Sequence, residues 1–150
     1  MTAFIPLLTA FLGSRGFALL FNVRGTRLLP AAFGGLLSWG VYLLAGAFLQ
    51  SDPLRYLIAS AAFTLYAEIL ARLMKTPATL FLVSAAIPLV PGGSLYRTME
   101  YAIRGDGQAF GVSGLATLLL AVAIAAGILL TMAVLNMVST LPRLRRQSSK

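Results

Sequence analysis

The chain has 150 residues, of which 59% are hydrophobic and only 11% are charged. Soluble domains carry roughly 25% charged residues, so this composition excludes a water-soluble globular domain and predicts an integral membrane protein. The net charge is +8, but the basic residues lie at segment ends and in a terminal tail, where membrane topology places them. Because no basic stripe is interleaved with aromatic residues, nucleic acid is not an expected partner.

The chain contains no cysteine and no histidine. Zinc, haem and iron–sulfur sites of the usual kinds depend on these ligands, and a histidine-based catalytic triad is excluded as well. The sequence offers no nucleophile–base pair and no cluster of metal-ligating residues. We therefore expect that the protein is not an enzyme and that it holds neither a cofactor nor a metal.

The first apolar segment, residues 2–22, is predicted to be a membrane helix. It has no basic region before its apolar stretch and no clear small-residue cleavage pattern after it, unlike a signal peptide. Arg15 lies inside this segment. Two interpretations of Arg15 remain open: it is a coupling residue, as charges inside membranes frequently are, or its side chain reaches the nearer interface or pairs with an acid.

A basic turn with Arg24 and Arg27 precedes a second predicted span, residues 28–51, which carry no charge. Glycine and alanine are frequent in this span, and such small residues let membrane helices approach closely. Asp52 is predicted to cap the third helix, with Pro53 in its first turn.

The third predicted helix, residues 54–74, contains the one acid that is clearly embedded in an apolar run, Glu68. Arg72 is four residues further on, so the two side chains share a helix face and are expected to pair. One interpretation is a proton or ion carrier, because burial raises the pKa of a carboxyl group towards neutrality. The other is an interfacial ion pair near the end of the helix.

Two prolines then interrupt the fourth apolar run. Pro88 and Pro91 each lack an N–H group and clash with the carbonyl four residues back, so the helix is predicted to break between residues 88 and 94. Gly92 and Gly93 allow the backbone to turn, and Ser94 is predicted to cap a helix that resumes at residue 95. Broken helices frequently form transporter binding sites, but a plain loop at the membrane surface would also fit this pattern.

A polar helix is predicted over residues 95–103, with Arg97, Glu100 and Arg104 along one side. The last predicted segment begins near Phe110, and no charge occurs from residue 107 to 142, which exceeds one perpendicular span. The fold class predicted is therefore all-α: a polytopic membrane bundle of about four to five helices with one Pro/Gly-broken helix. It forms a single transmembrane domain over residues 1–142, followed by a basic cytoplasmic tail at 143–150.

The distribution of basic residues predicts the orientation. With five crossings, the Arg24/Arg27 turn, the Arg72/Lys75 turn and the C-terminal tail share one side, which is richer in lysine and arginine and should be cytoplasmic. The N-terminus is then outside and the C-terminus inside. If the run before Pro88 is re-entrant, the count falls to four and the topology changes.

Four segments resemble the threonine/serine exporter family: residues 17–23 (FALLFNV), 67–72 (AEILAR), 76–79 (TPAT), and 87–93 (IPLVPGG) with Tyr96. The chain is similar to the C-terminal half of the long, ten-helix members. It is equally similar to the smaller subunit of split two-component members, one of which is regarded as a succinate exporter. The resemblance covers nearly the whole chain, and Arg15 is not among the residues carried over from the family.

The resemblance implies an inner-membrane exporter of small hydrophilic metabolites, such as threonine, serine or a small dicarboxylate, driven by the proton gradient. It also implies a second, separate membrane subunit of the larger, N-terminal-half type. Such substrates carry a carboxylate, which the N-terminus of the helix after Gly93 and the guanidinium of Arg97 would attract. The rival function is a non-transporting scaffold or assembly subunit, which needs neither Glu68 nor the double-proline break.

Two groups of candidate site residues follow. The predicted substrate-binding group is Pro88, Pro91, Gly92, Gly93, Ser94, Tyr96 and Arg97. The predicted proton- or ion-coupling group is Glu68, Arg72 and Arg15.

Overall fold

The structure is a computed structural model that describes the backbone of residues 4–147 and the side chains of residues 4–138. This part of the chain contains six α-helices and no strand: α1 Phe4–Leu20, α2 Leu28–Phe48, α3 Asp52–Met74, α4 Ala78–Ala86, α5 Gly92–Arg104 and α6 Gly107–Gln147. Short 3₁₀ turns, Gly25–Arg27 and Ile87–Leu89, precede α2 and follow α4. The predicted all-helical fold is confirmed.

Three described helices are long and apolar enough to cross a membrane: Gly25–Phe48, Asp52–Met74 and Gly107–Val138. The pair Ala78–Leu89 and Gly92–Arg104 bends by 54° at the break and forms either a fourth, broken crossing or a re-entrant loop. The apolar helix α1 has 17 residues, somewhat fewer than the roughly 20 that a perpendicular span needs. The predicted membrane bundle with one broken helix is therefore confirmed.

Small side chains bring the helices together. Helix α2 packs against α1, α3 and α4, while α6 packs against α3 and α5. A Cβ atom on Gly34 would lie 2.8 Å from the Cβ of Ala85 in α4, and one on Gly35 would overlap the Ser14 hydroxyl in α1. Glycine is required at both positions because these helices approach within contact distance of the α2 backbone.

The turn between α2 and α3 is held by Arg55. Its Nε donates a 2.7 Å hydrogen bond to the Leu49 carbonyl, and its Nη1 lies 3.1 Å from Asp52 Oδ1. Asp52 was expected to cap α3, but Ser51 occupies the cap position without a side-chain hydrogen bond and Asp52 is the first helical residue. The Asp52 carboxylate instead pairs with Arg55, three residues further along the same helix.

The double-proline break is confirmed, and its position is slightly different from the prediction. The backbone leaves α-helical geometry at Ile87 and helix α5 begins at Gly92, before the predicted restart. Pro91 holds the cap position, and the Leu95 N–H already donates to the Pro91 carbonyl at 3.0 Å. Ser94 therefore lies inside the first turn of α5 and does not cap it.

Helix α6 begins three residues earlier than predicted, because the Asp106 side chain caps it. Asp106 Oδ1 accepts a 3.0 Å hydrogen bond from the Ala109 N–H. The helical backbone continues to Gln147, so residues 143–147 of the predicted tail prolong α6, and residues 148–150 lie outside the described chain.

Candidate functional site

A polar cleft of about 390 Å³ lies between the start of α3 and the antiparallel pair formed by α5 and the first turns of α6. Its lining comes from three helices: Asp52; Ser94, Arg97 and Tyr101; and Ala109, Val112, Ser113 and Ala116. The cleft thus combines one guanidinium, one carboxylate and three hydroxyl groups. Such a set can bind a small polar molecule that carries charges of both signs.

Hydroxyl groups next to the cleft join α5 to α6. Thr98 Oγ1 donates to the Ser94 carbonyl at 2.8 Å and lies 2.9 Å from Ser113 Oγ and 3.3 Å from Thr117 Oγ1. A Cβ at Gly114 would lie 3.6 Å from Thr98 Cγ2, which is an ordinary van der Waals contact and confirms that the two helices are in contact here. The bonds from Thr98 to Ser113 and Thr117 join α5 to α6 beside the cleft that Ser94 and Ser113 line.

Arg97 supplies the cationic side chain of the cleft lining, and it forms no ion pair with a carboxylate of the described residues. Three ion pairs occur among the described residues: Arg55–Asp52, Arg72–Glu68 and Arg104–Glu100. Arg97 is exposed and takes part in none of them. Its guanidinium is therefore available to an anionic group, for which its paired N–H donors are well suited.

The structure brings only part of the predicted substrate group together. Ser94 and Arg97 line the cleft. Gly92 and Gly93 precede them at the exposed start of α5, where a Cβ atom would meet no other atom within 4 Å. Tyr96 is 70% exposed and is not part of the cleft lining.

Pro88 belongs to a second pocket of about 250 Å³, between α1, the side chain of Trp39 and the turn at Ile87. Its remaining lining residues are Pro6, Thr9, Ala10 and Gly13. Since no charged side chain lines this pocket, it offers a substrate carboxylate no counter-charge. Pro91 is half-buried and lines neither of the two pockets.

The predicted coupling residues lie away from the cleft. Glu68 and Arg72 form the expected pair, with 3.7 Å between Oε2 and Nη2, and the Glu68 side chain is 23% exposed. Glu68 follows Asp52 by sixteen residues on the same helix, which places it about 24 Å further along α3. Arg15 is exposed on α1, five residues before the helix ends at Leu20, and none of the ion pairs found in the described chain includes it.

Glu68→Gln tests whether the Glu68–Arg72 pair is more than structural. We expect the variant to insert normally, because an ion pair whose arginine is 59% exposed contributes only about 0–1 kcal/mol. If Glu68 is the coupling residue that the sequence predicts, proton-dependent export is lost. Export into inverted vesicles at several pH values measures this. An unchanged rate with an unchanged pH dependence would leave Glu68 as an ion-pair partner only, and Arg72→Gln should then compensate any stability lost.

Sequence reasoning missed Asp52, Tyr101 and Ser113 as cleft residues. Tyr101 lies four residues after Arg97 and seven after Ser94, so helical spacing alone could have placed it on their face. Asp52 and Ser113 come from other helices, and no local pattern links them to α5.

Comparison with known protein families identifies a match over most of the chain. The sequence model of the family described as Threonine/Serine exporter, ThrE, matches residues 6–134. The same comparisons gave no match among curated proteins or solved structures. The matched range includes the double-proline break and the whole cleft, and it covers the five apolar segments except for the first residues of α1 and the last residues of α6. The chain therefore belongs to the threonine/serine exporter family.

Proposed function

We propose that this chain is a membrane subunit of a secondary exporter that moves small hydroxylated amino acids, such as threonine and serine, out of the cell. Family membership supports export of substrates of this type. The observation that carries the proposal is the cleft, where Arg97 and Asp52 present opposite charges beside the hydroxyls of Ser94 and Ser113.

The chemistry of the cleft matches a zwitterion. The Arg97 guanidinium would bind the amino-acid carboxylate with two parallel hydrogen bonds, and the positive end of the α5 dipole adds to that attraction. Asp52 would face the ammonium group, and the serine hydroxyls would bond the substrate hydroxyl. Because Asp52 is already paired with Arg55, the cleft presents one unpaired charge among the described residues, the Arg97 cation, which a single carboxylate balances and a dicarboxylate exceeds. The cleft therefore favours the amino acid over the dicarboxylate.

A second exporter-family subunit of the larger, N-terminal-half type is part of this proposal. Arg97 and Asp52 are both exposed, so this chain covers a substrate on one side only. Transporters of this kind commonly bind substrate between two halves, and the partner would supply the missing wall. We further propose proton coupling, and an inner-membrane location with the N-terminus outside and the C-terminus in the cytoplasm.

The test is efflux from cells loaded with threonine, serine or succinate, with this gene and the partner gene deleted in turn. We expect threonine and serine efflux to need both genes, succinate efflux to change less, and the two subunits to co-purify in detergent. Full efflux from this chain alone would overturn the two-subunit arrangement and favour a homo-oligomer. Normal efflux after either deletion, with co-purification retained, would favour a non-transporting scaffold.

A further inference from the structure

Helix α5 and the start of α6 form an antiparallel hairpin. Only Gly105 and Asp106 separate the two helices, and Thr98 in the middle of α5 lies within hydrogen-bond distance of Ser113 and Thr117 in α6. Helix α6 therefore turns back along α5. The hairpin therefore comprises residues 92–117, and its long axis is parallel to the axis of α6.

The packing of α6 against α3 shows how far this hairpin extends, along the helix axes, beyond the start of α3. Asp52, the first residue of α3, shares the cleft with residues 109–116 near the start of α6, and a Cβ on Gly127 would overlap the Ser60 hydroxyl further along both helices, so α3 and α6 run in the same direction. The first residue of α3 is therefore level with about residues 116–120 of α6. Since α6 begins at Gly107, the hairpin extends about 15–20 Å beyond the start of α3, at 1.5 Å per residue.

The amino-acid composition of α6 changes at the level of the start of α3. From residue 118 to 138, α6 carries no charge and its polar side chains are only Thr131 and Asn136. The hairpin, by contrast, contains four charged residues, Arg97, Glu100, Arg104 and Asp106, together with Gln108 and several hydroxyls. Residues 118–138 have the length and composition of one membrane crossing, whereas α5 has only 13 residues and three of them are charged, so it is too short and too polar to cross by itself.

We infer that the hairpin stands outside the hydrocarbon core, on the side opposite the Arg24/Arg27 and Arg72/Lys75 turns. Those turns lie at the other end of α2 and α3. The Arg97–Asp52 cleft is then a water-filled vestibule at the outer membrane surface and not a pocket at the bilayer midplane. The position of the hairpin does not depend on the proposed function; only the assignment of the cleft to substrate rests on it. If that assignment holds, exported substrate leaves the protein through the cleft.

The absence of native cysteine makes a thiol-labelling test direct. Single cysteines would replace Gln108 and Val112 in the hairpin, and Val122 and Leu129 further along α6, all four of which are exposed positions. A charged, membrane-impermeant thiol reagent added to intact cells should label the two hairpin cysteines. The other two should react at least about tenfold more slowly, because a thiol in hydrocarbon stays protonated.

Lys75→Cys is the control for sidedness and should react only after the membrane is permeabilised. The inference is overturned if Val112→Cys reacts as slowly as Leu129→Cys, or if Gln108→Cys, like Lys75→Cys, needs permeabilisation. Labelling does not depend on transport, so the placement of the hairpin can stand even if the proposed export function fails. Protection of Ser113→Cys by threonine reports separately on that function.

Discussion

Arg97→Ala is expected to lower threonine export by about tenfold to a hundredfold without reducing the amount of protein in the membrane. Arg97 is the cleft cation that has no carboxylate partner among the described residues. A hydrogen bond to a charged group contributes about 1.5–3 kcal/mol, and about 1.4 kcal/mol corresponds to one factor of ten. The measurement is the initial rate of efflux from preloaded cells at matched expression.

The control for Arg97 lies on the same helix. Arg104 is also exposed, but it pairs with Glu100 and does not line the cleft, so Arg104→Ala should export at close to the normal rate. Arg97→Lys should fall between the two, because an ammonium group keeps the charge but loses the paired donors. Equal losses in Arg97→Ala and Arg104→Ala would show that the cleft does not bind the substrate.

Gly127→Leu is expected to disrupt the packing of α6 on α3 and to give the largest loss of stability. A Cβ on Gly127 would overlap Ser60 Oγ and press on the Leu57 carbonyl oxygen, and the backbone of α3 cannot move aside as a flexible side chain can. Overpacking of this kind costs about 1–3 kcal/mol, and occasionally more. The measurement is thermal unfolding of the purified protein in detergent, together with its yield in the membrane.

Gly111→Leu is the matched control on the same helix. A Cβ at Gly111 meets no other atom within 4 Å, so this variant should unfold at nearly the same temperature as the native chain. If both variants unfold at the same temperature, α3 and α6 are not in contact at Gly127. The distance by which the hairpin extends beyond the start of α3, which was derived from that contact, would then be wrong.

Several features of this protein follow from the sequence by itself, because their causes are local. The membrane class follows from composition, since 11% charged residues cannot cover a soluble core. The break after α4 follows from the missing N–H groups of Pro88 and Pro91, whatever surrounds them. The Glu68–Arg72 pair follows from helical spacing, which brings residues four apart to one face.

The candidate site was decided by tertiary structure. Asp52 looked like a helix cap and Ser113 like an ordinary residue of a span, and both became cleft residues only because α3 and α6 pack beside α5. Ser94 looked like a cap, but the Pro91 carbonyl closes the first turn and leaves Ser94 on the cleft wall. Glu68 and Arg97 were expected to serve one transport function, yet about 24 Å of helix separates Glu68 from the cleft. Contacts between distant segments depend on how the helices pack, and no local pattern in the sequence encodes that packing.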